Sequence, residues 1–502
     1  MQSEYVKKIL KARVYDLAVE TPITEAVNLS EKTGNNILIK REDLQPVFSF
    51  KVRGAYNKMS LLSAKEKKRG VVCASAGNHA QGVAMSAAHL GIRAVIVMPT
   101  ITPEIKVNSV KSRGGEVVLY GDTFDEACKY AFKLRDKEGL TFIHPYDDED
   151  VIAGQGTIAM EIMHQVKNEV DAIFVPVGGG GLIAGVSVYA KYLNPDIKII
   201  GVESDESSCL KLALETGERR ILPEVGIFAD GVAVAQIGEK TFEVARQFVD
   251  EVITVTTDEI CAAIKDLFED TRSIAEPSGA LAVAGMKKYI EKKKLKKKNL
   301  VAVNSGANTS FGRLRHISER TELGAHKEAL VAVTIPEETG SFLKFCKSLG
   351  DFNVTEFNYR YGDNKVAQIF VGVELKKGEK SRKILLDRLR KNKYEVCDLT
   401  DNEMAKLHIR YMVGGHGMGI EERVFRFQFP EKPGALLKFL TSIGSKWNIT
   451  LFHYRNHAAA YGRVLMGIQA GAGDKDLKKQ LDAVGYHYLE ESDNPAYRMF
   501  LS

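Results

Sequence analysis

Short runs of β-branched residues alternate with longer amphipathic stretches over the first 320 residues of the chain. Residues 71–74, 94–98, 173–177, 198–202 and 300–303 are apolar at nearly every position, not at alternate ones. A strand apolar on both faces belongs in a parallel sheet covered by helices on each side. The pattern therefore predicts an α/β architecture of parallel or mixed sheets with right-handed crossovers.

Past residue 325 the pattern changes and repeats itself. Residues 335–345, IPEETGSFLKF, are echoed by 429–439, FPEKPGALLKF, and residues 353–360, NVTEFNYR, by 448–455, NITLFHYR. Each copy ends on an Asp-Asn pair, Asp401-Asn402 and Asp493-Asn494. The order in each is strand, Pro-Gly loop, helix, strand, strand, helix, strand, an α+β ferredoxin-like unit. Two such copies side by side are expected to extend one sheet and frame a pocket. The expected domains are a catalytic region, 1–320, with a smaller subdomain inserted at about 45–150, then a polar linker, 321–327, and two units at 328–410 and 421–502.

Composition narrows the function. Hydrophobic residues at 44% and charged residues at 27% are ordinary for a soluble globular protein. The net charge of +5 is too mild to imply nucleic acid or a membrane surface. The basic run from Lys287 to Lys298 reads as the solvated end of a helix and a surface turn. No signal peptide or membrane span is visible. Six scattered cysteines fit free thiols in a reducing cytoplasm, and neither they nor the eleven histidines form a metal-ligand pattern.

Three loops of small residues each follow a predicted strand: Ser75-Ala76-Gly77-Asn78-His79, Gly178-Gly179-Gly180-Gly181-Leu182 and Asn304-Ser305-Gly306-Ala307-Asn308. Ligands of open α/β sheets bind at the carboxyl ends of strands, so the three point to one shared site. A glycine run between strand and helix brings backbone N–H groups to phosphate. Alone it is ambiguous, because Gly179, Gly181 and Ala184 with Glu203 also fit the dinucleotide fingerprint. Lys51 changes the weighting. It follows an apolar Pro-Val-Phe-Ser-Phe run, where a desolvated amine has a lowered pKa and can form a Schiff base with an aldehyde. An aldehyde carrying a phosphate is pyridoxal phosphate.

These motifs, Ser49-Phe50-Lys51 with Arg53-Gly54-Ala55 and the three loops, resemble those of the threonine and serine dehydratases, in the β-family (fold type II) of pyridoxal-phosphate enzymes. The C-terminal repeat resembles the paired regulatory, ACT-like units of the biosynthetic threonine deaminases. The resemblance implies that Lys51 binds the cofactor covalently and then removes the substrate's α-proton. It implies a phosphate site at Gly178, Gly179, Gly180, Gly181 and Leu182. Asn78 would meet the cofactor's ring oxygen, Phe50 its ring and Ser305 its pyridine nitrogen. A neutral hydroxyl opposite that nitrogen favours prompt loss of a β-substituent. Ser75, Ala76, Gly77, Asn78 and His79 would hold the substrate carboxylate.

Relatives that racemise serine carry a serine where this chain has Ala76, which cannot transfer a proton, so dehydration is expected. Some relatives bind a divalent cation near the segment matching Glu224 to Asp230; here a solvated acidic turn is the preferred reading, with no metal. Glu276 fits two roles equally, orienting the cofactor region or capping a helix. The expected reaction is deamination of threonine to 2-oxobutanoate and ammonia in isoleucine biosynthesis. Isoleucine would inhibit it, valine would oppose the inhibition, and the assembly would be a homotetramer. Effector contacts are placed at Tyr359 and Tyr454 and at the Pro-Gly loops 336–340 and 430–434. A serine dehydratase is the near alternative; an NAD-dependent dehydrogenase and a non-catalytic amino-acid sensor are the alternatives of other classes.

Overall fold

The computed structural model describes residues 1–336, 341–350, 352, 354–360, 366–411, 421–430, 447, 449–455, 461–470 and 474–501. They form two compact units, Met1–Ile317 and Ser318–Ser502.

The first unit is built on two sheets. A six-stranded sheet runs in the order Ile23–Glu25, Asn36–Arg41, Asn299–Asn304, Ala172–Pro176, Lys198–Ser204, Glu251–Val255. Only the first pair is antiparallel. A smaller, fully parallel sheet has the order Glu116–Leu119, Ala94–Met98, Val71–Ala74, Thr141–Phe142. Successive residues of a strand point to opposite faces, and the double-sided apolar runs divide accordingly. Ile173, Val175, Val301 and Val303 enter one core, while Ala172, Phe174, Leu300 and Ala302 enter the other. In the small sheet Val71 and Cys73 go one way, Val72 and Ala74 the other. Each fully buried Val, Ile or Phe contributes roughly 1.5–3 kcal/mol.

The repeat of the second unit extends to detail. Strands Glu328–Pro336, Val354–Arg360, Val366–Glu374 and Glu395–Asp398 form one antiparallel sheet. Strands Glu422–Pro430, Ile449–Arg455, Tyr461–Gln469 and Tyr488–Glu490 form another in the equivalent order. Even the register irregularity recurs, between Val354 and Glu356 in one copy and between Ile449 and Leu451 in the other.

The expectation of one extended sheet is corrected: among the described residues no strand of one copy pairs with a strand of the other. The reason lies in Glu328–Pro336, which is apolar on both sides. Ala329, Val331 and Val333 face the helices of their own copy. Leu330 and Ala332, with Phe370, instead share a core with Val424, Leu465, Tyr497 and Phe500 of the second copy. Phe370 and Phe500 meet edge to face at 5.8 Å. The copies are joined through faces and through their short terminal helices, Glu403–Leu407 and Pro495–Phe500.

The boundary between the units falls inside helix Arg313–Gly324. The stretch 321–327, read as a linker, thus holds the end of that helix and a turn into Glu328–Pro336. The basic run ends helix Pro277–Lys293, and part of its charge is paired: Lys288 with Glu259, Lys292 and Lys293 with Glu251, Lys298 with Asp171.

Candidate active site

The three loops follow strands Val71–Ala74, Ala172–Pro176 and Asn299–Asn304, each at its carboxyl end. Two of them open helices whose N-termini lack a side-chain cap: Gly77 precedes Asn78–Leu90, and Gly180 precedes Gly181–Leu193. Four other helices of the unit do start on a side-chain cap, Asp148 in one and the capping boxes Ser63/Glu66, Thr123/Glu126 and Thr256/Glu259 in the rest. Leaving first-turn N–H groups uncapped suits a helix that receives an anion.

The glycine run is required by its neighbours. A Cβ on Gly179 would stand 2.3 Å from the ring of Tyr146, and one on Gly178 2.9 Å from Cα of Val232. Gly180 has φ +90°, a left-handed conformation open to glycine. Thr241 Oγ1 donates to the Gly179 carbonyl at 2.7 Å and fixes the loop from behind. The loop presents side-chain-free backbone before an uncapped helix start, and that fits a phosphate. Leu182 is buried in the core, so it offers the site its backbone rather than its side chain.

Lys51 begins helix Lys51–Ser60. Its Nζ donates to the carbonyl of Pro145 at 2.8 Å and lies 5.2 Å from the centroid of the half-buried Phe50 ring. Burial lowers its pKa to about 8, against the opposing pull of the Glu276 carboxylate. Residues 48–51 are pinned to the Ser305 loop by backbone. Ser49 bridges Gly306, the Phe50 N–H donates to the Ser305 carbonyl at 3.2 Å, and the Ala307 N–H donates to Phe48 at 2.9 Å. Two motifs some 250 residues apart are thus one structural element. Ser305 Oγ donates to the Ser278 carbonyl at 3.3 Å; behind it Ser278 Oγ and the Asn304 amide are buried without a partner among the described residues. Such groups fit a polar ring.

Asn78 is gripped from two sides. Its Nδ2 donates to Glu276 Oε1 at 2.6 Å, and its Oδ1 accepts from Asn308 Nδ2 at 2.7 Å. Of the two roles open to Glu276, capping is not the one realised: it precedes helix Pro277–Lys293 but makes no cap bond with its side chain. Burial, with Asp230 nearby, pushes its carboxyl up to about 7. His79 turns away from the loop it belongs to. Its Nε2 bonds the Ile143 carbonyl at 2.9 Å, and burial depresses its pKa to about 3, so the ring is neutral. Only its backbone can serve a carboxylate there. Ser75 Oγ accepts from the Gly77 N–H at 3.3 Å.

Asp230 lies in an exposed turn, as read, but its carboxylate is ion-paired. Lys106 Nζ approaches it at 2.6 Å and Arg313 Nη1 at 3.2 Å. Although burial works the other way, these two cations hold its pKa well below the usual carboxylate range. No group of His, Cys, Asp and Glu able to hold a metal occurs among the described residues. Tyr359 and Tyr454 hold equivalent places in strands Val354–Arg360 and Ile449–Arg455, paired with Ile369 and Val464. Most of the two Pro-Gly loops, 337–340 and 431–434, lies outside the described residues.

Pro145 and Tyr146, which lie between Lys51 and the glycine run, have no signal in the sequence beyond the HPYDD segment before helix Glu149–Gln165. Arg53 likewise has no role legible in the sequence. That guanidinium is fully buried, bonded to Glu42 at 2.8 Å and to Glu161 at 2.5 Å, and Lys40 joins Glu161 at 2.5 Å. The network fastens the helix that carries Lys51.

The chain is similar to known proteins in both of its units. Residues 14–306 match the family model described as "Pyridoxal-phosphate dependent enzyme". Residues 319–409 and 415–501 match the "C-terminal regulatory domain of Threonine dehydratase". A Burkholderia multivorans protein named "L-threonine dehydratase biosynthetic IlvA" is 54% identical, over 99% of this chain and 99% of its own. The Escherichia coli protein of that name is also 54% identical, over 100% of this chain and 97% of its own. The solved structure of the processed form of threonine deaminase isoform 2 from Solanum lycopersicum superposes with a TM-score of 0.63 at 51% identity. It covers 64% of this chain and 93% of that one. The chain belongs to the biosynthetic threonine dehydratase family of pyridoxal-phosphate-dependent enzymes, and pyridoxal phosphate is its cofactor.

Proposed function

We propose that this enzyme converts L-threonine to 2-oxobutanoate and ammonia under feedback control from its C-terminal half. The observation that carries the reading is the desolvated amine of Lys51, on the element that also holds the Ser305 loop. Residues 1–320 are assigned to catalysis, with the inserted subdomain at 45–150, and 328–410 and 421–502 to effector binding.

Bound pyridoxal phosphate supplies an electron sink conjugated to the substrate's α-carbon. Lys51 is the residue that holds it. The N–H groups of Gly178, Gly179, Gly180, Gly181 and Leu182 receive its phosphate, Phe50 and Asn78 its ring and ring oxygen, and Ser305 its nitrogen. The Ser75 hydroxyl and the backbone of Ala76, Gly77, Asn78 and His79 hold the substrate carboxylate. An amine with a pKa of about 8 is partly neutral near physiological pH and can take the α-proton. The β-hydroxyl takes a proton from a nearby acid and leaves as water. Hydrolysis of the released enamine returns one water, so threonine gives 2-oxobutanoate and ammonia with no oxidant. Ala76 offers no second acid–base group, which supports elimination over racemisation. Serine would react by the same steps, and room for one methyl group separates the two substrates.

An end product that resembles threonine too little to compete at the active site needs a site of its own. We assign inhibition to isoleucine and its relief to valine, with Tyr359 and Tyr454 as contacts and a coupling of about 1–3 kcal/mol. A homotetramer in the cytoplasm completes the proposal; sedimentation of the full chain checks the assembly. The central test is the absorbance spectrum of the holoenzyme with 2-oxo-acid detection on threonine. A visible band absent in Lys51→Ala, and oxo-acid formation suppressed by isoleucine and restored by valine, is the expected result. A wild-type enzyme that binds the cofactor yet leaves threonine untouched would overturn the substrate assignment.

A further inference from the structure

We propose that Lys106 is a positioning residue, tethering the small-sheet body to the large-sheet body through Asp230 and so setting the geometry of the cleft between them. Lys106 lies in helix Glu104–Lys111, whose Val107 and Val110 belong to the core of the four-stranded sheet. Asp230 opens the short turn Asp230–Val232, which is anchored by Phe228, Ala229 and Val232 in a core of the six-stranded sheet. The 2.6 Å contact between them therefore spans the two bodies.

The second cation on Asp230 has the opposite attachment. Arg313 Nη2 donates to the Phe228 carbonyl at 2.5 Å, and its guanidinium sits 5.6 Å from the Phe228 ring. Arg313 and Asp230 are thus fixed to the same body. Arg313 keeps the carboxylate paired whatever Lys106 does, and only Lys106 comes from the other side.

The turn they hold is part of the site wall. A Cβ on Gly231 would meet Ser278 Oγ at 2.7 Å and Glu276 Oε1 at 3.7 Å. Glu276 in turn receives Asn78, which belongs to the small-sheet body. The turn is therefore bracketed by two polar links between the bodies, Lys106 to Asp230 and Asn78 to Glu276. Lys106, Arg313 and Asp230 all act on the Glu276 carboxyl, which ties the links electrostatically.

Side-chain exposures of 31% for Lys106 and 37% for Asp230 leave little stabilisation in the pair itself. Its effect is geometric. The loop read as the carboxylate site, 75–79, rides on the small sheet, while the glycine run and Ser305 ride on the large one. Losing the tether loosens the register between them, and a misplacement of about 1 Å can cost on the order of 10²-fold. This rests on the threonine reaction proposed above.

The test uses full-length holoenzyme with Lys106→Met, Lys106→Arg, Asp230→Asn and the Lys106→Met/Asp230→Asn double variant. Lys106→Met is expected to raise KM for threonine by about fivefold or more at near-wild-type melting temperature, with Lys106→Arg close to wild type. The double variant is expected to be no worse than the more impaired single one. Hydrogen exchange in the amides of Glu104–Lys111 is expected to quicken in Lys106→Met and not in Lys106→Arg. Unchanged KM and unchanged exchange in Lys106→Met, or independent addition of the two single effects, would overturn the tether. If the wild-type enzyme consumes no threonine, the functional reading fails, and the exchange measurement still decides the tether.

Discussion

The side-chain amide of Asn402 donates to Oδ1 of Asn494 at 3.1 Å, so the same position in the two copies of the repeat meets itself. Each asparagine also caps the helix that follows it: Asn402 accepts from Ala405 N–H at 3.0 Å, and Asn494 from Ala496 N–H at 2.9 Å. Both helices feed the shared core of the second unit. Asn402→Ala and Asn494→Ala should each cost about 0.5–2 kcal/mol through the lost cap. Because the pair shares a bond, the double variant should lose less than the sum, a coupling that denaturant titration of the regulatory transition would measure.

Arg53 satisfies two buried carboxylates at once, Glu42 and Glu161. Arg53→Met strands both in a low-dielectric interior and is expected to destabilise the first unit by about 3–5 kcal/mol. Arg53→Lys keeps the charge but loses the planar fork, and should fall between Met and wild type. Urea midpoints of the holoenzymes order the three.

The Tyr146 ring packs against Gly179. Gly179→Ala should therefore weaken cofactor retention, read as loss of visible absorbance after gel filtration. Adding Tyr146→Ala gives the new methyl room and should restore part of the retention. A double variant no better than Gly179→Ala would argue that the backbone itself, not the ring, sets the limit.

Glu276 carries a sign that pH can test. Burial raises its folded pKa from 4.5 to about 7, so between those values the folded chain binds more protons than the unfolded one. Its contribution to stability is complete below about 4.5 and is lost as pH rises through about 7. Glu276→Gln, which keeps an oxygen for Asn78, should flatten that part of the stability–pH profile. An unaltered slope in the variant would assign the titration to other groups.

Much of this is legible in the sequence. Runs such as 71–74 and 300–303 announced double-sided strands because they are short, β-branched and apolar without alternation, which suits a strand covered on both faces. Lys51, the glycine run and Ser305 stood out because small residues and one misplaced amine are rare after apolar strands. Edge strands such as Ile23–Glu25 and Thr141–Phe142 were not legible, being two or three residues long and only partly buried. The partners of Arg53, Asn78 and Asp230 were invisible for another reason. Long-range pairing between polar side chains leaves no local period, so the exposed turn at Asp230 gave no sign of Lys106 and Arg313. The joint sheet failed likewise: repeat spacing shows that two copies exist, not which surfaces they turn to each other.

Strand Glu328–Pro336 also has a bearing on how this chain can be cut or shortened. A fragment ending near residue 411 would keep a complete four-stranded sheet, yet it would turn Leu330, Ala332 and Phe370 outward as a bare apolar stripe. Such stripes invite self-association. The two copies therefore cover each other, and a second unit cut to one copy is expected to self-associate.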